Sequence, residues 1–484
     1  MLHKPTDSRC RVLFTIFTLY ANLLTRVRTQ EILKGFKASP DSSISLFQSL
    51  LHDASGNYSF GFLRVNATRL VLAVIHVPSE EPLWVGNPNN PAKWSNPTNL
   101  IFNGSLVLSD KSGVIWSTYT NGGRVILSNT SNLQVQNMDA DGSVSILWQS
   151  FSFPYDTLVD NQNYTTNMSL VSSNGLYSLK LGNNFFGLYA NFKEGLEQIY
   201  YKHTALEAKA SIIDGQGPVY LRVSPDGFLG MYQASSDPTP VDIETFKSYG
   251  VPVPGIHRIR IEPDGNLQGY YWNGTVWISD YQAISDQCEL PSACGPYGLC
   301  IPGSGCACLN NNTQFTPSGC SEPGSGDFCR NDGVENKFSV IRQNGVELLY
   351  KELMGYVKMN SLEACETSCD KNCTCWGVVY NNASGFCYSI DYPIQTMVSN
   401  REETKYGYFK VSKSTNGSGK KVESGLEIGL VLLGATLLAI FGFSGYQIWR
   451  RKRRVKTLVE DENGVNPGPY KNLGSASFRS IEMT

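Results

Sequence analysis

The sequence predicts a mainly β, multi-module ectodomain carried on one membrane-spanning helix. Three observations predict it. Residues 31–282 hold no cysteine and read as short apolar stretches broken by Asn, Gly, Ser and Asp. Twelve of the 13 cysteines then crowd between Cys288 and Cys387, and an uncharged apolar run follows them. Lys+Arg 40 against Asp+Glu 42 gives a formal charge of -2, with 41% hydrophobic and 17% charged residues. Such a chain is neither a disordered polyelectrolyte nor a nucleic-acid binder. The five histidines (His3, His52, His76, His203, His257) are scattered singly, and no acid, base and nucleophile converge in the sequence. No catalytic residue, metal site or cofactor is therefore assigned, and the chain is read as a non-enzyme.

The first element, residues 1–30, reads as a signal peptide. Lys4, Arg9 and Arg11 precede the apolar run from Val12 to Leu24, which is too short for a comfortable span. At the other end, Ile428 to Ile448 carries no charge and is followed by Arg450, Arg451, Lys452, Arg453 and Arg454. As a helix that run is about 32 Å long, which matches a hydrocarbon core of about 30 Å. The basic cluster places its C-terminal side in the cytosol. The expectation is a single-pass type I protein of the plasma membrane, N-terminus outside, with a linker at 413–427, a span at 428–448 and a cytoplasmic tail at 449–484.

Export explains the cysteines, which read as a disulfide framework rather than a metal site because no CxxC pair occurs. Eleven N-x-[ST] sequons lie on the exported side, at Asn57, Asn66, Asn103, Asn129, Asn163, Asn167, Asn273, Asn311, Asn372, Asn382 and Asn416.

Between Glu31 and Gln282, stretches such as YSFGFLRV, RLVLAVIHV, GVIWSTY and NLQVQN alternate over four to eight residues and end at turn residues. That pattern predicts an all-β barrel, prism or sandwich. A turn followed by an apolar strand recurs at Asn103, Ser131, Asp226 and Asp264, which suggests pseudo-symmetric hairpin units around a shared core.

The phrases Asn57-Tyr-Ser-Phe-Gly-Phe, Gly113-Val-Ile-Trp-Ser-Thr and Leu147-Trp-Gln-Ser-Phe-Ser-Phe-Pro-Tyr-Asp-Thr-Leu resemble the bulb-type (mannose-binding) lectin domain of plant S-domain proteins. That family includes the S-locus glycoproteins and the G-type lectin receptor kinases. The resemblance implies tandem β-prism domains, a bulb-type lectin domain at 31–160 and a second, more divergent one at 165–282. Bulb lectins hold mannose through Q-x-D-x-N-x-V-x-Y, whose polar side chains reach sugar hydroxyls while Val packs against the ring. The chain departs from that pattern. The five positions read Ile101, Asn103, Ser105, Val107 and Ser109 in one strand, and Ser128, Thr130, Asn132, Gln134 and Gln136 in the next. Another copy keeps only Asp226 and Tyr232. Glu262, Asp264, Asn266, Gln268 and Tyr270 keep three of five, so Asp264, Asn266 and Tyr270 are the candidate carbohydrate contacts; the competing reading is hairpin-turn chemistry.

The cysteines form two blocks of six, each open to fifteen pairings by sequence alone. Cys288, Cys294, Cys300, Cys306, Cys308 and Cys320 (284–321) resemble the EGF-like module of the same family. The resemblance implies Cys288 with Cys300, Cys294 with Cys306 and Cys308 with Cys320. Cys329, Cys365, Cys369, Cys373, Cys375 and Cys387 (329–412) resemble its PAN/apple domain, in which a helix is clipped to a sheet. There the resemblance implies Cys365 with Cys387 and Cys369 with Cys375, leaving Cys329 and Cys373. Residues Ser361 to Asp370 read as the helix, with Ser361 as N-cap and Glu363 in its first turn.

The tail after the span holds no kinase motif; Tyr470 to Leu473 resembles an endocytic signal, and Ser475, Ser477 and Ser480 are candidate phosphosites. The family resemblance therefore implies a receptor-like protein without a kinase that binds a glycan or peptide ligand. Its expected partners are a second copy of itself or an S-domain receptor kinase. A membrane-tethered mannose-type lectin is the alternative.

Overall fold

The computed structural model describes residues 31–95, 97–205, 219–233, 239–317, 319–320, 328–329, 338–402 and 404–412. The proposed signal peptide, linker, span, tail motifs and Asn416 lie outside the described residues. Among the described residues no helix is long and apolar enough to cross a membrane.

Residues 31–153 close into a three-sided prism. Sheet A contains Phe47–His52, Tyr58–Asn66, Arg69–His76 and Glu81–Val85, with Ala92–Lys93 paired to its third strand. Sheet B contains Gly113–Ser117, Leu106–Asp110, Asn99–Phe102 and Phe36–Ala38, and sheet C contains Glu31–Leu33, Arg124–Leu127, Leu133–Met138 and Val144–Gln149. Period-2 alternation turns one row of each sheet inward. Phe60 and Phe62 face Val74 and Leu72, Leu106 and Leu108 face Phe102 and Leu100, and Val125 faces Val135; all are at most 1% exposed.

Each sheet sends one tryptophan to the prism axis: Trp84 from A, Trp116 from B and Trp148 from C. Their rings meet edge to face at centroid distances of 6.1, 5.8 and 5.7 Å. A β-bulge sits beside each one, at Val74/Ile75, Val114/Trp116 and Val135/Gln136, and re-aims the side chain.

A second prism repeats the plan. Sheet D contains Thr157–Val159, His257–Ile261, Leu267–Trp272 and Trp277–Gln282; sheet E contains Asn163–Tyr164, Val219–Ser224, Phe228–Gln233 and Pro240–Thr245; sheet F contains Leu170–Val171, Tyr177–Leu181, Phe185–Lys193 and Leu196–Thr204. Thr157–Val159 falls within the residues the sequence assigned to the first domain, yet it pairs with His257–Ile261, so the chain crosses over before residue 157. The turn phrases at Asn103, Ser131, Asp226 and Asp264 each lead into the third strand-forming segment of one sheet, which accounts for the internal repeat.

The bulges recur in the second prism, at Leu188/Tyr189, Met231/Tyr232 and Gly269/Tyr270. Opposite them, where the first prism has tryptophans, stand Tyr201, Asp242 and Tyr281. The second axis is polar.

The cysteine-rich modules join the second prism in one hydrophobic core that runs from Leu158 to Val411. The hairpin Gly298–Ile301 with Gly305–Cys308 pairs in parallel with Met397–Ser399, so strands of both cysteine blocks form one four-stranded sheet, completed by Val346–Glu347. Tyr297 donates to the Lys410 carbonyl at 2.7 Å, and the Cys294 amide donates to Thr396 Oγ1 at 2.9 Å. Phe192 stacks on Tyr392 across the joint with the prism, and Tyr177 donates to Ser292 at 2.6 Å.

The last module sets the helix Leu362–Asp370 against a five-stranded sheet. Ser361 caps the helix by accepting from the Ala364 amide at 3.2 Å. The disulfides are Cys288–Cys300, Cys294–Cys306, Cys308–Cys320, Cys329–Cys373, Cys365–Cys387 and Cys369–Cys375.

Truncating Trp84 to Ala removes a ring that touches both other sheets. The expected loss is about 3–5 kcal/mol of unfolding free energy, read from denaturant titration of the purified chain.

Candidate functional site

The best-kept sugar motif lies on the outer face of sheet D. Leu267 and Gly269 point into the core, so Gln268 and Tyr270 point away from it. The Asp-Gly-Asn segment is first of all a hairpin turn. Gly265 has φ +91, its amide donates to Glu262 O at 2.9 Å, and Asp264 Oδ1 accepts the Asn266 amide at 2.9 Å. The turn is also tightly packed: a Cβ on Gly265 would lie 3.0 Å from the Tyr200 hydroxyl and 3.2 Å from Pro291.

Asn266 is 4% exposed, and both ends of its amide are taken by one residue. Its Nδ2 donates to Ile284 O at 2.8 Å, and its Oδ1 accepts the Ile284 amide at 3.1 Å. Buried and held at both ends, this side chain is turned away from solvent and from a sugar hydroxyl. Asn266 ties the turn to the chain leaving the sheet, and Asn132 has the same duty in sheet C, where it binds Gln149, Ser150 and Phe151. Asp264 is exposed. The Tyr270 hydroxyl is engaged by Glu262 and Gln268, each at 2.8 Å.

The rest of that face is covered by the first prism. Arg258, opposite Tyr270 in the ladder, is 2% exposed; its guanidinium lies 3.8 Å over the Trp277 ring and 5.3 Å from the Tyr270 ring. Glu81 of sheet A accepts from Arg258 at 2.5 Å and from Arg260 at 3.5 Å. His76 packs on Trp272 and Trp277 at centroid distances of 5.0 and 5.4 Å. Burial, then the Arg258 charge, brings the His76 pKa down to about 4, so the imidazole is neutral in this contact. The outward arginines were readable from the alternating His257-Arg-Ile-Arg-Ile261. The partner Glu81, 177 residues away from Arg258, had no local signal.

The other motif copies are likewise partnered internally. Ser105 binds Ser117 at 2.9 Å and Thr118 at 3.0 Å, Gln136 donates to Gln134 at 2.6 Å, and Ser128 pairs with Thr130 at 2.8 Å. Tyr232 stacks on Tyr220 at 5.5 Å, with the Arg222 guanidinium 5.3 Å from its ring. All ten described sequon asparagines are exposed, including Asn103 beside the sheet B motif.

Two polar clusters escaped the sequence. On the second prism's axis, His203 bridges sheets F and E, with Nε2 at 2.6 Å from Asp242 and Nδ1 at 2.8 Å from Glu244. Burial opposes the imidazolium, but the two carboxylates outweigh it and raise its pKa. Nearby, Ser248 Oγ is 3.2 Å from His257 Nε2, and His257 Nδ1 is 4.0 Å from Asp160, a spacing that imitates a hydrolytic triad. His257 is 0% exposed and Ser248 donates to Asp280 instead, so the cluster is a sealed polar knot with no face toward a substrate. Burial pushes the Asp160 carboxyl up to about 7.

Comparison with known proteins places this geometry. The D-mannose binding lectin family matches residues 82–180, and the S-locus glycoprotein domain matches residues 243–316. A PAN domain-containing protein of Arabidopsis thaliana is 48% identical over 99% of this chain and 98% of its own length. A G-type lectin S-receptor-like serine/threonine-protein kinase of the same plant is 25% identical over 93% of this chain and 55% of its own, so the chain spans about half the length of such kinases. Among solved structures, the two-domain Scilla campanulata agglutinin matches with a TM-score of 0.18 and 14% identity over 52% of this chain and 96% of its own.

Two outcomes follow from the internal partnering. Asn266→Ala strands the buried Ile284 amide and carbonyl and is expected to cost about 2–3 kcal/mol of stability, measured by thermal or denaturant unfolding. For His203 the folded pKa is raised, so its stabilising charge is fully present below the unfolded value of about 6.5 and is lost as pH rises through the folded value. The melting-temperature gap between the natural chain and His203→Gln should be widest at pH 5.5 and shrink by pH 8.5; a gap independent of pH would refute the imidazolium clasp.

Proposed function

The chain belongs to the plant S-domain family, and on that premise we propose that it is a cell-surface recognition protein that binds an extracellular ligand or partner and carries out no chemistry. The observation that carries this reading is the state of its sugar motifs. Asn266 is locked to Ile284, Tyr270 is held by Glu262 and Gln268, and Arg258 with Glu81 joins the same face to the other prism. Side chains so engaged support a lectin scaffold turned to another kind of recognition. The sealed Ser248–His257 cluster fits a non-catalytic role as well.

In this reading residues 1–30 direct export, 428–448 anchor the protein in the plasma membrane as a single-pass type I chain, and the cysteine-rich modules act as EGF-like and PAN-type units. For signalling we propose a membrane partner, and a receptor kinase with a similar ectodomain is the natural candidate. A second copy of the chain is the other.

Proximity labelling from the ectodomain and the tail on intact cells tests this directly. Enrichment of an S-domain receptor kinase is the expected result; enrichment of no membrane signalling protein would overturn the co-receptor role. The second reading, a membrane-tethered mannose-type lectin, rests on the exposed Asp264 and the match to the mannose-binding lectin family. On a glycan array it requires mannose binding that is lost in Asp264→Ala and in Tyr270→Phe, two changes that leave the Asn266 tie in place.

A further inference from the structure

We infer that the first prism carries a separate binding site for an anionic oligosaccharide, in a cleft at the corner between sheets A and B. The cleft measures about 490 Å³, a volume that suits one or two sugar rings. It lies away from the sugar-motif face of sheet D, and it does not depend on whether the chain signals through a kinase.

Its charge is the first argument. Residues 31–449 hold 27 Lys and Arg against 37 Asp and Glu, so the exported part is acidic as a whole. This cleft is lined by Arg69, Lys93 and Lys111 against a single carboxylate, Asp110. All three cations are exposed, and among the described residues none has a carboxylate within 4.0 Å. Asp110 is turned to its own hairpin, where it accepts from the amide and hydroxyl of Ser112, and those bonds chiefly hold its pKa below the ordinary carboxylate value.

The second argument is a local cost. Arg69 and Lys93 are directly opposed in an antiparallel ladder. Like charges at that spacing work against the pairing. An anion held between them removes the cost, and the guanidinium is already oriented for one. Arg69 Nη1 donates to the Pro91 carbonyl at 3.0 Å, which fixes the fork while leaving donors free to chelate a carboxylate side by side.

The remaining lining favours a sugar over an acidic peptide. Asn90, Ser95 and Ser112 offer neutral groups to hydroxyls, while Val114, 61% exposed, and Ile115 offer an apolar strip to the C–H face of a ring. Pro91 directly precedes the short strand Ala92–Lys93 and fixes its own φ at the rim of the cleft. A ring bearing both hydroxyls and a carboxylate, as in a uronic acid, uses all of these at once.

The test is calorimetric titration of the full chain in detergent micelles with a linear oligogalacturonate. The controls are the same oligomer as its methyl ester, an oligomannose and a poly-aspartate of equal charge. Oligogalacturonate binding should weaken at least tenfold on esterification and again in Lys93→Gln/Lys111→Gln, and should fade between 0.05 and 0.5 M salt, roughly as screening of exposed charges requires. Both lysines are exposed, so an unchanged melting temperature of the double variant checks that folding is intact. Equal binding of ester and acid, indifference to the double substitution, or tighter binding of poly-aspartate would each overturn the assignment. Loss of oligogalacturonate binding would leave the proximity-labelling result untouched.

Discussion

Six bulges, one beside the axial residue of each sheet, govern the two prisms. A three-sided prism buries one face of every sheet around a single line, and the side chain that reaches that line in each sheet sits beside a bulge. In the first prism three tryptophans fill it, with large apolar rings in edge-to-face contact. In the second the same places hold Tyr201, Asp242 and Tyr281, and the geometry that suits tryptophan would strand a carboxylate. His203 answers that one replacement, because a carboxylate on the axis needs a cation beside it, and Glu244 engages the other nitrogen of the same imidazole. Burial, followed by Tyr201 and Glu244, also drives the Tyr281 hydroxyl pKa upward, so the axis stays protonated where it lacks a charge partner.

The same closure decides what can bind a ligand. With inner faces consumed, only outer faces, corners and turns remain, and one outer face of sheet D is spent on joining the prisms. The joint is built from a buried arginine between two aromatic rings, with one glutamate reaching across. Removing the glutamate would leave the guanidinium buried without its anion, which makes the contact sensitive to either partner.

What was legible in the sequence is what is local. Alternation with turn residues marked the strands, and Ser361 with Glu363 marked the helix start, because caps and hairpins are settled within a few residues. The repeat at Asn103, Ser131, Asp226 and Asp264 was legible for the same reason. The sheets entered by Leu70 and Phe186 escaped that repeat, since their turns lack the phrase although their registers are equivalent. The domain boundary was misplaced at Thr157–Val159 because a three-residue strand declares its sheet only through its partner. At Asn266 the pattern kept the residue type while the fold turned it inward to Ile284, in keeping with the hairpin-turn reading. Glu81 with Arg258, and His203 with Asp242, join segments too distant for any window to connect.

Beyond the prisms, the parallel pairing of Leu299 and Cys300 with Met397 and Val398 removes the most obvious hinge. Two small disulfide modules joined by a loop would swing, but two that share a sheet and one core with the second prism cannot rotate without breaking ladder hydrogen bonds and exposing Tyr350, Trp376 and Tyr392. Among the described residues between 158 and 411, the second prism and the cysteine-rich modules share one core rather than packing as separate units. The joint between the prisms is stiffened in turn by the charge that crosses it. In such a packing, a change of angle between these modules would break the shared sheet, so the surfaces they present are fixed relative to one another by ladder hydrogen bonds and a common core.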